Sequence, residues 1–112
     1  MSDNYEIVFC DSFYKRLKGL IAYRSLAPGR FFLIDRCNCI HTFGMRFAID
    51  ALFFDKKGRF LRYVHQLQPW YYYHCRNAFY VLELYTSKRL NPQQIGSIVA
   101  FCRQYGFRPN NN

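Results

Sequence analysis

The run Phe47-Ala48-Ile49-Asp50-Ala51-Leu52-Phe53-Phe54 is apolar at every position but one and ends in Asp55-Lys56-Lys57-Gly58. A run this short has the length of a strand rather than of a helix. A glycine able to take positive φ suits the hairpin turn that follows. Arg59 to His65 then pairs back on Phe47 to Phe54. The segment from Cys37 to Gly58 therefore contains the central hairpin of a β-rich chain.

Other stretches read as shorter strands. Tyr5 to Cys10 places Tyr5, Ile7 and Phe9 on one face. Arg30 to Ile34, Ile40 to Arg46, Phe79 to Tyr85 and Ser97 to Phe101 complete the set. Asp11-Ser12 offers a helix start, and Phe13, Leu17, Leu20 and Ile21 follow as one apolar stripe, with Lys15, Arg16 and Lys18 away from it. Asn91-Pro92-Gln93-Gln94 reads as a single helical turn with proline at its first position. Ala27-Pro28-Gly29 and Gln68-Pro69 interrupt the pattern. The expected fold is α+β, mostly antiparallel, a compact barrel-like sheet with one short amphipathic N-terminal helix.

A chain of 112 residues has room for one core, so residues 1–106 are expected to form a single domain and 107–112 a polar, flexible tail. The 12 Phe and 10 Tyr supply much of that core. Five cysteines, without framework spacing, fit reduced thiols. No signal peptide or membrane-length apolar run is visible, and the expected location is the cytoplasm. The net charge of +9 admits nucleic acid, anionic lipid or an acidic protein as partner.

Several motifs occur in a familiar order: Arg16-Leu17-x-Gly19-Leu20, Ile40-His41-Thr42-Phe43-Gly44-Met45-Arg46-Phe47, Ile49-Asp50, and Phe53-x-Asp55-x-x-Gly58. Pro69-Trp70, Cys75-Arg76-x-Ala78 and Val81-Leu82-Glu83-Leu84 follow. Over roughly residues 5 to 101 the chain resembles the domain-of-unknown-function 192 family of small bacterial and archaeal proteins. The resemblance implies a compact β-rich domain and no particular reaction. Some relatives lie in gene neighbourhoods for pilus assembly or secretion, which suggests an accessory role. Ala48, Thr86-Ser87-Lys88 and Gly96-Ser97 depart from the family pattern.

Cys37, Cys39 and His41 alternate, so on an extended strand they share a face, and His74-Cys75 could add a further ligand for zinc. The spacing is not a paired CxxC, and buried thiols are the simpler reading. No cofactor is expected, with zinc as the alternative. Asp50, an acid in an apolar run, must have its charge offset. It is either a latch to Arg46 or to a backbone amide, or a general base beside His41 and Thr42. Glu83 is a second acid in an apolar strand and could complete a carboxylate pair with Asp50. Trp70-Tyr71-Tyr72-Tyr73-His74 forms an aromatic loop or edge strand, suited to a protein partner or to stacked bases. Arg16 could brace Asp50 or Glu83.

The leading expectation is a non-enzymatic binding or accessory module for a protein or small ligand. Its cleft would be built from Arg16, His41, Thr42, Met45, Asp50 and Trp70. The alternatives are a small hydrolase or transferase using His41 and Asp50, and a basic nucleic-acid-binding domain.

Overall fold

The computed structural model describes residues 6–10, 30–43, 45, 47–86 and 88–107. The strands are β1 (Glu6–Cys10), β2 (Arg30–Asp35), β3 (Cys39–His41), β4 (Ile49–Phe54), β5 (Phe60–Leu67), β6 (Tyr72–His74) and β7 (Tyr80–Leu84), followed by helix α1 (Pro92–Tyr105). Five strands form one sheet in the order β1-β2-β7-β4-β5, and β3 pairs with β6 in a separate ribbon. β1 and β2 are parallel, and every other pairing is antiparallel.

The apolar run explains this layering. β4 is buried at every position, which requires cover on both faces of the sheet. On one face Leu52, Phe54, Leu82, Leu84, Phe31 and Leu33 pack against Ile98 and Cys102 of α1. On the other, Ala51, Phe53, Val81, Phe32 and Ile34 pack with Ile40, Met45 and Cys75. The Phe53 and Tyr73 rings approach to 5.5 Å there. The domain is thus a stack of helix, sheet and two-stranded ribbon.

Two fold expectations need correction. The sheet is open rather than barrel-like: among the described residues, β1 and β5 are its edges and do not pair with each other. The helix of the described residues is C-terminal, where Ser97 to Phe101 was expected to be a strand. The β-branched pair Ile98-Val99 invites the strand reading. However, Ile95, Ile98, Val99 and Cys102 recur at i, i+3, i+4 and i+7, and this stripe packs on the sheet. The stretch expected to be an N-terminal helix, residues 11–21, lies outside the described residues.

The single turn expected at residues 91–94 is the start of α1. The Asn91 side chain accepts from the Gln94 amide at 2.8 Å, and the Gln94 side chain accepts from the Asn91 amide at 2.9 Å. This reciprocal cap satisfies two otherwise free donors, with proline next to it. Asn91→Ala is expected to cost about 1 kcal/mol of stability, measured by chemical denaturation. At the other end of α1, Phe107 packs edge-on against Phe54 and tilted against Tyr80, at 4.7 and 4.5 Å between centroids. Residues 108–112 lie outside the described residues.

Candidate functional site

Strand alternation divides the ribbon into two faces. Ile40 and Tyr73 are cross-strand partners turned toward the core. Cys39 with His74, and His41 with Tyr72, are the partner pairs of the opposite, outer face. Beyond the strand ends this outer face continues as a run of rings. His41 lies 4.7 Å from Phe43, and Phe43 stacks on Trp70 at 6.1 Å between centroids. Phe43, Trp70, Tyr71 and Tyr72 are all exposed, Trp70 to 68%.

One buried threonine holds this surface in place. β3 ends at His41, earlier than the expected limit of Arg46, because Thr42 turns to the opposite loop. Its hydroxyl donates to the Gln68 carbonyl at 2.5 Å and accepts from the Tyr71 amide at 3.0 Å. Its backbone carbonyl accepts from Trp70 at 2.9 Å, and its amide donates to the Tyr71 carbonyl at 2.8 Å. Trp70 itself adopts φ 69°, a left-handed conformation that costs a bulky L-residue roughly 1–3 kcal/mol. The Thr42 bonds offset that cost and leave the indole facing outward.

Asp50 forms a separate cluster. Its carboxylate is fully buried. Oδ1 accepts from the Gln66 amide at 3.0 Å, and Oδ2 accepts from the Tyr63 hydroxyl and lies 2.8 Å from His65 Nδ1. A carboxylate only accepts, so Nδ1 carries a proton here, and in the neutral tautomer Nε2 is the acceptor. Among the described residues His65 makes its hydrogen bonds through Nδ1 alone, and its side chain is 19% exposed. Burial, reinforced by the bond to Asp50, pushes the Tyr63 phenol up to about 12, so at neutral pH it remains a donor. The Tyr63 hydroxyl also accepts from the Leu90 amide at 3.0 Å. The geometry depends on an irregular register between Ile49 and Ala51, where Gln66 takes φ 58° and turns its amide toward Asp50.

The remaining candidates separate. Asp50 pairs with Leu84 and Ala51 with Glu83, so Asp50 and Glu83 lie on opposite faces and do not form a carboxylate pair. The partner of Asp50 is His65 rather than His41, which belongs to the ribbon. The latch to a backbone amide is present, at Gln66. Met45 is packed in the core. Among the described residues no three His, Cys, Asp or Glu side chains converge as a ligand set. Cys37 donates to the Cys39 carbonyl at 3.1 Å, burial raises the Cys75 thiol, and burial pushes the Cys102 thiol up to about 12. Arg16 and Arg46 lie outside the described residues. His65 and Tyr63 escaped the sequence reading. They stand two apart on β5, but the register shifts between Phe53 and Phe54, so counting back from the turn does not bring them to Asp50.

Three comparisons place this geometry among known proteins. The family model for DUF192, described as Uncharacterized ACR, matches residues 2–90. Curated proteins give no match. The crystal structure of a "putative transcription regulator" from Sinorhizobium meliloti 1021 superposes with a TM-score of 0.63 at 20% identity, covering 94% of this chain and 77% of that one. A protein of unknown function from Novosphingobium aromaticivorans DSM 12444 gives 0.64 at 12% identity, covering 86% and 69%. At these identities the likeness is one of fold.

Proposed function

The chain belongs to the domain-of-unknown-function 192 family, and from that premise we propose that it is a non-enzymatic binding module that docks an acidic protein segment on the outer face of the β3–β6 ribbon. The observation that carries this reading is Trp70, exposed to 68% yet held in a left-handed backbone conformation. A ring fixed outward in this way loses little conformational freedom on binding. Tryptophan and tyrosine are also the residues that most often anchor protein interfaces.

Charge selects the partner. The chain has 16 Lys and Arg against 7 Asp and Glu, and two of those acids, Asp50 and Glu83, are fully buried. The surface therefore favours an acidic segment. Nucleic acid fits less well. Nucleic acid needs cations spaced along the stacking face to meet successive phosphates, and β3 and β6 carry Cys, Ile, His and Tyr with neither Lys nor Arg, whereas an acidic segment anchored on Trp70 by an apolar side chain needs cations only at the rim, where Arg76 is exposed beside β6. The reading rests on this geometry rather than on the pilus or secretion setting of some relatives.

Trp70 is the chain's single tryptophan, so its fluorescence reports directly on the surface. Peptides selected for binding are expected to carry an apolar anchor flanked by Asp or Glu and to shift Trp70 emission. Trp70→Ala, followed by calorimetry, is expected to weaken them by about 2 kcal/mol, roughly thirtyfold. If single-stranded RNA or DNA instead quenches Trp70 with a steep salt dependence, the nucleic-acid reading replaces this one.

A further inference from the structure

The Asp50–His65–Tyr63 cluster plays no part in the ribbon, and its construction exceeds what a latch requires. The Gln66 amide alone would satisfy Oδ1. Yet Oδ2 also receives the Tyr63 hydroxyl and His65 Nδ1, and the backbone takes a left-handed residue at Gln66 beside them. The result is a ring fixed by its inner nitrogen, with part of the side chain open to solvent.

The adjoining loop brings one cation to the Tyr63 ring of this cluster. Leu90 donates to the Tyr63 hydroxyl, and the Gln66 side chain donates to the Thr86 carbonyl at 3.1 Å. The loop between them carries exposed Lys88 and Arg89. The Arg89 guanidinium lies 5.4 Å from the centre of the Tyr63 ring, the ring that also neighbours His65 at 6.2 Å.

We propose that His65 Nε2 and Arg89 form a second ligand site, which takes a phosphoryl-type oxyanion. The P–O–H group of the singly protonated anion donates to Nε2. When the proton crosses, the O–H bond breaks, an N–H bond forms, and the imidazolium is held against Asp50 while the added negative charge on the oxyanion faces Arg89. His65 touches the ligand, whereas Asp50 and Tyr63 are positioning residues that fix the ring and its tautomer.

The test is nitrogen NMR of the imidazoles in the full chain, titrated with inorganic phosphate and, in parallel, with methyl phosphate. Without ligand, His65 is expected to carry its proton on Nδ1. Phosphate is expected to shift Nε2 saturably, and a stronger response to one probe identifies free or esterified phosphoryl as the preferred source. His65→Gln and Arg89→Gln should each weaken binding about tenfold, as expected for loss of a charge-assisted hydrogen bond. Asp50→Asn should move the proton to Nε2 and weaken binding as well. Trp70→Ala should change nothing here, which separates this site from the ribbon. The proposal is overturned if His65 of the unaltered chain carries its proton on Nε2. It is equally overturned if phosphate binding is absent, or is unchanged in His65→Gln.

Discussion

Asp50→Leu is expected to lower the unfolding free energy by about 3–5 kcal/mol, the range for breaking a buried charged network by deleting one partner. Three donors lose their acceptor: the Gln66 amide, the Tyr63 hydroxyl and His65 Nδ1. Tyr63 and His65 are partly open to water and recover some of the loss, but the Gln66 amide is locked in a left-handed residue. The penalty should therefore fall mostly on the irregular end of β5. Asp50→Asn is expected to cost less, about 1–2 kcal/mol, because a change of imidazole tautomer lets Nδ1 accept from the new amide. Urea denaturation with an unchanged slope would measure both. A loss below about 1 kcal/mol for the leucine variant would show that the network contributes nothing to stability.

Thr42→Val is the second large effect, about 2–4 kcal/mol. Valine keeps the shape and removes the hydroxyl of the fully buried Thr42, so the Gln68 carbonyl and the Tyr71 amide lose their partner. Each unsatisfied group costs about 1–3 kcal/mol. The change should be local before it is global. Hydrogen exchange at the Tyr71 amide is expected to accelerate first, and the Trp70 emission to report a freed indole. If the variant keeps its stability while the Tyr71 amide remains protected, Thr42 is not what holds the loop.

What the sequence discloses follows the range of each interaction. The β4 hairpin was legible because its signals are local: an apolar run, a turn, and Gly58 at φ 82°. A side chain at that glycine would also press on Phe107, whose nearest atom would be 2.9 Å from an added Cβ. The cap of α1 was legible for the same reason, although its continuation was hidden by two β-branched residues. The importance of Asp50 and Thr42 was visible as chemical oddity, a polar group among apolar ones. Their partners were not visible. His65 meets Asp50 only through a shift in pairing centred on Gln66, a residue whose type gives no hint of positive φ. The separation of Asp50 from Glu83 likewise depends on which residues of β4 and β7 stand opposite one another, and that register is set by the whole sheet.

The strand order also bears on how the chain assembles as it is made. β7 lies between β2 and β4, and both depend on it for their second neighbour. Until Leu84 has left the ribosome, two strands rich in Phe and Leu each present a bare edge, and the β4–β5 hairpin is the longest antiparallel pairing that can form locally. Helix α1, which shields one face, arrives later still. Synthesis thus keeps the stickiest surfaces uncovered for most of its duration, and the last third of the message completes the core in one step. A stalled or truncated product ending before residue 84 would be an aggregation hazard rather than a smaller version of the domain.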